Sequence, residues 1–210
     1  MRDYLVAKGI PAERVVVIPV GSESRTEIWK PRAAPRRVLY VGGAADYQGL
    51  DALLGAMRIL AGEAPRVRLT VVGPEAVSGA PANVEFLGRV SHDQVAAFYL
   101  SHDLFVLPRP RTALTELVVP MKIPEAMSFG IPILATDLGA ARWALGDDGA
   151  LLVPDNRTET LAAAIRAAFA DPDRLAAWGA HAHQRSAAFT WDEIARSAVH
   201  ELFGSPRAAS

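Results

Sequence analysis

The chain has 210 residues, 50% of them hydrophobic and 21% charged, enough apolar content for the core of one large domain. With 22 Lys and Arg against 23 Asp and Glu, the formal net charge is −1, and no global basic field exists to hold a nucleic-acid backbone. There is no cysteine, which excludes disulfides and thiolate metal sites and fits a reducing cytoplasm, and no apolar run nears the ~20 residues that span a bilayer.

In chain order, the first residues carry scattered charges and no uninterrupted apolar core, so they are not a signal peptide. Tyr4–Lys8 reads as the end of a helix closed by Gly9, with Pro11 beyond it. Residues 1–12 are therefore expected to be the remnant of a preceding helix or linker, residues 13–203 the domain itself, and residues 204–210 a frayed tail.

Short apolar runs then recur at Arg14–Ile18, Val38–Val41, Val67–Val72, Val84–Leu87, Leu104–Leu107, Ile131–Ala135 and Ala150–Val153. Most are bounded by Gly, Pro or Asp and read as strands. Runs such as LTVVG and LFVLP lack polar alternation, as strands do when both sheet faces are covered. Between them, Leu50–Gly62 carries Leu50, Leu53, Leu54, Met57 and Leu60 on one stripe. Ser91 is placed to cap a helix that buries Val95, Phe98 and Tyr99, and an Ala-rich helix spans Arg157–Ala170. Beyond Asp171 only helices follow, Pro172–Ser186 and Trp191–Phe203. Strand and helix in alternation predict an α/β fold, a doubly wound Rossmann-like parallel sheet of about six strands with C-terminal helices. Ligands on such sheets lie outside the carboxyl ends of the strands.

Two stretches there carry chemistry. In VLYVGGAADYQG a strand runs into Gly42-Gly43 and on to a helix from Leu50, which is either a phosphate-approaching loop or a tight strand-to-helix turn. In PRPRTALTELVVPMKIPEAMSFGIPILATD a strand ends at Leu107, a loop carries Arg109, Arg111 and Glu116, and a short helix begins near Met121. That helix holds Lys122 and Glu125, tolerates Pro124 in its first turn and ends at Gly130. A helix start at Met121, Lys122 and Ile123 on the carboxyl edge suits a diphosphate, and a carboxylate one turn in suits ribose hydroxyls. On chemistry alone, a solvated Lys-x-x-Glu surface pair fits the same residues.

The segment PMKIPEAMSFGIPILATD closely resembles the signature of the retaining GT-B glycosyltransferases, in which a P-x-K-x-x-E stretch binds a nucleotide sugar. The surrounding pieces follow in the family's order: Ile18-Pro19-Val20-Gly21, VLYVGGAADYQGLDALLGA, LTVVGP, NVEFLGRVSHDQVAAFYLSHDLFVLP, GALLVPDNRTETLAAAI and TWDEIA. The resemblance thus runs from about Gly9 to Phe203 and implies the donor-binding half of a GT-B fold, with a separate N-terminal domain for the acceptor. It implies a nucleoside-diphosphate sugar as substrate, no cofactor and no metal, and polysaccharide or glycolipid synthesis as the setting. Residue by residue, Glu125 matches the ribose-holding glutamate, Gly88, Arg89 and Val90 the base-contacting segment, and Gly42 and Gly43 the phosphate loop. Lys122 is matched to the charge developing on the leaving group. The family's other glutamate falls at Leu117, so Glu116, one residue out of register, is assigned in its place.

The departures matter equally. Where the family carries an arginine and a lysine against the diphosphate, this chain has Gly43 and Gln48, leaving Lys122, Arg109 and Arg111 either as replacements or as rim charges. The five histidines show no ligand spacing, His181 and His183 reading as solvent-exposed, while Asp103 reads as structural and Trp143, Trp178 and Trp191 as packing residues. Two functions stay open, a glycosyltransferase half and a non-catalytic nucleotide-binding module.

Overall fold

The computed structural model describes residues 1–64 and 66–204. A six-residue helix α1 (Arg2–Ala7) buries none of its side chains and ends before Gly9 at φ +91°. Six strands form one parallel sheet: β1 (Arg37–Val41), β2 (Arg68–Val72), β3 (Val84–Phe86), β4 (Leu104–Leu107), β5 (Ile133–Thr136) and β6 (Leu151–Val153), in the order β3-β2-β1-β4-β5-β6. Helices α2 (Leu50–Glu63), α3 (His92–Ser101), α4 (Ala113–Leu117), α5 (Lys122–Phe129) and α6 (Gly139–Leu145) lie between strands, with α7 (Thr158–Ala170), α8 (Pro172–Ser186) and α9 (Trp191–Phe203) following β6. The fold is the doubly wound Rossmann-like sheet expected.

Successive residues of a strand point to opposite faces, so an all-apolar strand must be covered on both. Leu39, Val41, Phe105, Leu107, Ile133 and Ala135 pack beneath α3, α5 and α6, around Tyr99, Met127 and Phe129. Val38, Tyr40, Leu69, Val71, Val106 and Leu134 pack on the opposite face against Leu53, Met57, Leu60, Leu161, Ile165 and Trp178 from α2, α7 and α8. The whole predicted stripe of α2 is buried. Ser91 caps α3 reciprocally with Gln94, as its spacing indicated.

One predicted strand does not form. Arg14–Ile18 lies outside the sheet: a short 3-10 turn, Ala12–Arg14, leads into extended chain, and Val17 and Ile18 flank a hollow lined by Trp143, Phe189 and Ile194. Its apolar residues meet α9 rather than a strand, and the local pattern is the same for both. Past it, Ser22 makes a single bridge to Thr190. The predicted tail begins at Gly204, and residues 205–210 lie outside the described residues.

The strand order sets the position of any ligand. From β1 the chain moves outward to β2 and β3, then returns to lay β4 on the other side of β1. The crevice between the loops after β1 and β4 is the switch point of the sheet.

Candidate functional site

The loop after β1 runs through Gly42-Gly43 into a 3-10 turn, Asp46–Gln48, and reaches α2 through Gly49 at φ +74°. A Cβ on Gly49 would sit 1.8 Å from the Pro108 carbonyl oxygen, so only glycine lets this loop lie against the loop after β4. The neighbouring loops are knitted in by backbone bonds, Gly42 N–H donating to Val72 O at 3.1 Å and Gly73 N–H to Gly88 O at 2.8 Å. Tyr40 hydroxyl donates to Gly43 O at 2.6 Å, and burial pushes its pKa up, so it remains a donor. The glycine pair therefore has a fixed shape.

Beyond β4 the chain turns at Pro108 and Arg109 and makes α4, a five-residue helix absent from the sequence reading, which allowed only a loop. Thr112 and Thr115 cap its start reciprocally. At the start of α5, Lys122 Nζ donates to Glu125 Oε2 at 2.6 Å. The pair is partly buried, side chains 30% and 13% exposed, which is not the solvated surface pair that spacing alone permitted. Beneath Glu125 lies the buried Tyr99 hydroxyl, its pKa pushed well up, first by burial and then by the adjacent carboxylate. The Tyr99 ring is stacked on Phe129, one turn after Glu125, at 5.1 Å.

Arg109 is almost wholly buried, 6% exposed, under the ring of Tyr47, its guanidinium carbon 5.7 Å from the ring centre. Its Nη1 donates to Val118 O at 3.2 Å while its Nε is buried without a partner. Burial lowers its pKa. Glu116 has a different employment: one carboxylate oxygen accepts from Gly139 N–H at 2.6 Å at the start of α6, and the other takes an ion pair from Arg111. Arg111 also donates to Asp137 O at 2.6 Å.

Of the residues singled out, Gly42, Gly43, Gln48, Arg109, Met121, Lys122, Ile123 and Glu125 all fall on the loops and helix start at the carboxyl edge. Met121 is 65% exposed, whereas Ile123 is fully buried core rather than lining. Gly88 is buried, Arg89 exposed, and Val90 packs on the core. Tyr47 and Gly139 were missed and Tyr99 was expected only as a buried face of α3, because their partners are distant in sequence.

Other readings are sharpened or overturned. Asp103 is structural, 1% exposed at the opposite edge of the sheet. Trp178 is buried, but Trp143 and Trp191 stay 52% and 50% exposed and only partly serve as packing. His181 and His183 are half-buried rather than exposed, His183 Nδ1 standing 3.1 Å from Ser128 O because α8 packs on α5. His102 is buried. Among the described residues no three His, Asp or Glu side chains gather in a metal-holding group, and no helix is long and apolar enough to cross a membrane.

A parallel doubly wound sheet with a polar crevice at its switch point defines a Rossmann-like domain. The model of the family described as glycosyl transferases group 1 matches residues 35–171, and the chain belongs to that family. It is 28% identical to a D-inositol 3-phosphate glycosyltransferase of Kineococcus radiotolerans, over 94% of this chain and 53% of the relative. It is also 28% identical to a phosphatidyl-myo-inositol mannosyltransferase of Mycolicibacterium smegmatis, over 76% of this chain and 42% of the relative. The chain thus spans about half the length of the curated relatives it matches. Among solved structures, Alr3699/HepE of Anabaena, described as a complex with UDP and glucose, superposes with a TM-score of 0.75 at 19% identity, over 98% of this chain and 61% of that one. Sucrose-phosphate synthase of Thermosynechococcus elongatus superposes at 0.71 with 22% identity, over 98% of this chain and 57% of that one. These two share the fold.

Proposed function

We propose that this chain is the donor-binding half of a retaining glycosyltransferase, which moves a sugar from a nucleoside-diphosphate sugar to an acceptor hydroxyl. The observation that carries the reading is the partly buried Lys122–Glu125 pair at the start of α5, across the crevice from the Gly42-Gly43 loop. Glu125 holds the ribose hydroxyls, and the α5 start and the glycine loop hold the diphosphate. Lys122 leaves Glu125 for the phosphate as negative charge grows on the leaving group, the point at which electrostatic stabilisation counts most. The Gly88–Val90 segment borders the base. Glu116, bonded to Gly139 and Arg111, fixes the α6 start beside the sugar rather than touching it. The acceptor side belongs to a further domain, in keeping with relatives about twice as long. The names of the inositol-directed relatives fit a place in polysaccharide or glycolipid synthesis.

Calorimetric titration with UDP, GDP and ADP tests the donor site. One of the three is expected to bind, with Lys122→Ala and Glu125→Ala each weakening it about tenfold, roughly 1.4 kcal/mol. No binding of any by the parent chain would overturn the reading. The absence of cations at Gly43 and Gln48 favours a second reading, a nucleotide-binding module without turnover. Binding that persists without transfer, once the acceptor domain is supplied, would decide for it.

A further inference from the structure

Gly43 and Gln48 bring no charge to the loop after β1, yet a cation reaches that loop from another strand. Arg109, two residues past the end of β4, carries its guanidinium to the ring of Tyr47, which immediately precedes Gln48 in the Asp46–Gln48 turn. The groups that face it are Tyr47, Tyr40 and the Val118 carbonyl, none of them a carboxylate, and among the described residues it has no ion pair. A buried cation normally has a counter-ion, because desolvation costs free energy that a ring face and one carbonyl offset only in part. Its Nε is buried and open.

The other candidate cations are ion-paired, Arg111 with Glu116 and Lys122 with Glu125, so each gives up a carboxylate to reach a phosphate, whereas Arg109 has none to give up. We propose that Arg109 is the principal cation for the diphosphate of the donor, delivered to the switch point from β4 instead of β1, with Tyr47 as a movable cover over it. The inference rests on the donor-binding reading for the identity of the ligand, and only on Arg109's surroundings for its charge. Tyr47 suits the part of cover, because its side chain lies at the surface of a three-residue turn, 41% exposed, while the charge beneath it is shielded. On binding, the ring slides off and the planar fork meets two phosphate oxygens, a geometry lysine does not reproduce.

The test uses inorganic pyrophosphate beside the nucleoside mono- and diphosphates of uridine, guanosine and adenosine, titrated into the parent chain, Arg109→Gln and Arg109→Lys. Arg109→Gln is expected to weaken pyrophosphate and the diphosphate at least tenfold while changing the monophosphate far less, with Arg109→Lys intermediate. In the parent chain the Arg109 Nε–H resonance is expected to move on adding pyrophosphate, a readout that stands even where a variant fails to fold. A parent chain indifferent to pyrophosphate, an unmoved resonance, or equal losses for mono- and diphosphate would overturn the proposal. Binding of pyrophosphate through Arg109 with no nucleotide binding at all would sink the donor reading alone.

Discussion

The two edges of the sheet treat buried charge in opposite ways. At the amino edge, Asp103 accepts from the backbone N–H of Arg36 and of Arg37, each at 2.8 Å, and from Arg32 Nη1 at 2.7 Å. Beside it His102 Nδ1 donates to Phe98 O at 2.8 Å, so Nε2 is free to accept from Thr70 hydroxyl, also at 2.8 Å. Trp29 Nε1 donates to the His102 carbonyl at 2.6 Å. Asp103 and His102 are answered there by the chain itself, although Asn83 Oδ1 just before β3 and Arg25 Nε beside the Phe129 ring are buried without partners. At the carboxyl edge Arg109 Nε and Thr136 Oγ1 are buried without partners, and Arg109, the one almost wholly buried cation among the described residues, has no carboxylate partner among them. An edge whose charges are neutralised internally contributes stability, while an edge left open retains affinity for something else.

Substitutions at the two edges should separate these contributions. The largest effect is expected from Asp103→Ala, which strands two backbone donors and Arg32; unfolding in urea should show a loss of about 3 kcal/mol, with ligand affinity of the folded fraction unchanged. An equal loss of nucleotide affinity would break the distinction. Next comes Gly49→Ala at the open edge. Its left-handed backbone and the approach to Pro108 O should cost about 2–3 kcal/mol in thermal unfolding. Because Gly49 follows the turn carrying Tyr47, pyrophosphate affinity should fall as well, unlike for Asp103→Ala.

The smallest effect is one of pH. Burial lowers the His102 pKa from 6.5, so the unfolded chain takes up the proton first as pH falls. Stability from this group is therefore complete above about pH 6.5 and declines below it until the lowered pKa is passed. Urea midpoints between pH 8 and pH 5 should fall on the acid side, less so in His102→Gln. A midpoint rising towards acid in the parent alone would contradict the neutral, Thr70-bonded ring.

The sequence exposes those features whose cause is local. The inner strands β1, β2, β4 and β5 are short, mostly apolar runs buried on both faces, the edge strands β3 and β6 are only partly buried, and a Gly, Pro or Asp near the ends makes the runs visible. Arg14–Ile18 has the same local pattern, and what separates it is the absence of a strand partner, which no window of residues reports. Helices α4 and α6, five and seven residues long, are too short to show a period. Lys122 and Glu125 were legible because three residues fix their spacing on one helix turn. The bond from Glu116 to Gly139 crosses 23 positions and the Arg109–Tyr47 contact joins two loops, so neither leaves a trace in local spacing.

The single bridge between Ser22 and Thr190 has a mechanical consequence. Ser22 N–H donates to Phe189 O at 2.8 Å, and Gly21 lies so close under Trp191 that an added Cβ would be 2.7 Å from the indole. The chain thus enters and leaves the sheet-bearing body at adjacent points. Tension applied through residues 22 and 190 would load that backbone contact and the indole on the glycine first, before any of it reached the six strands that lie between those residues in the chain.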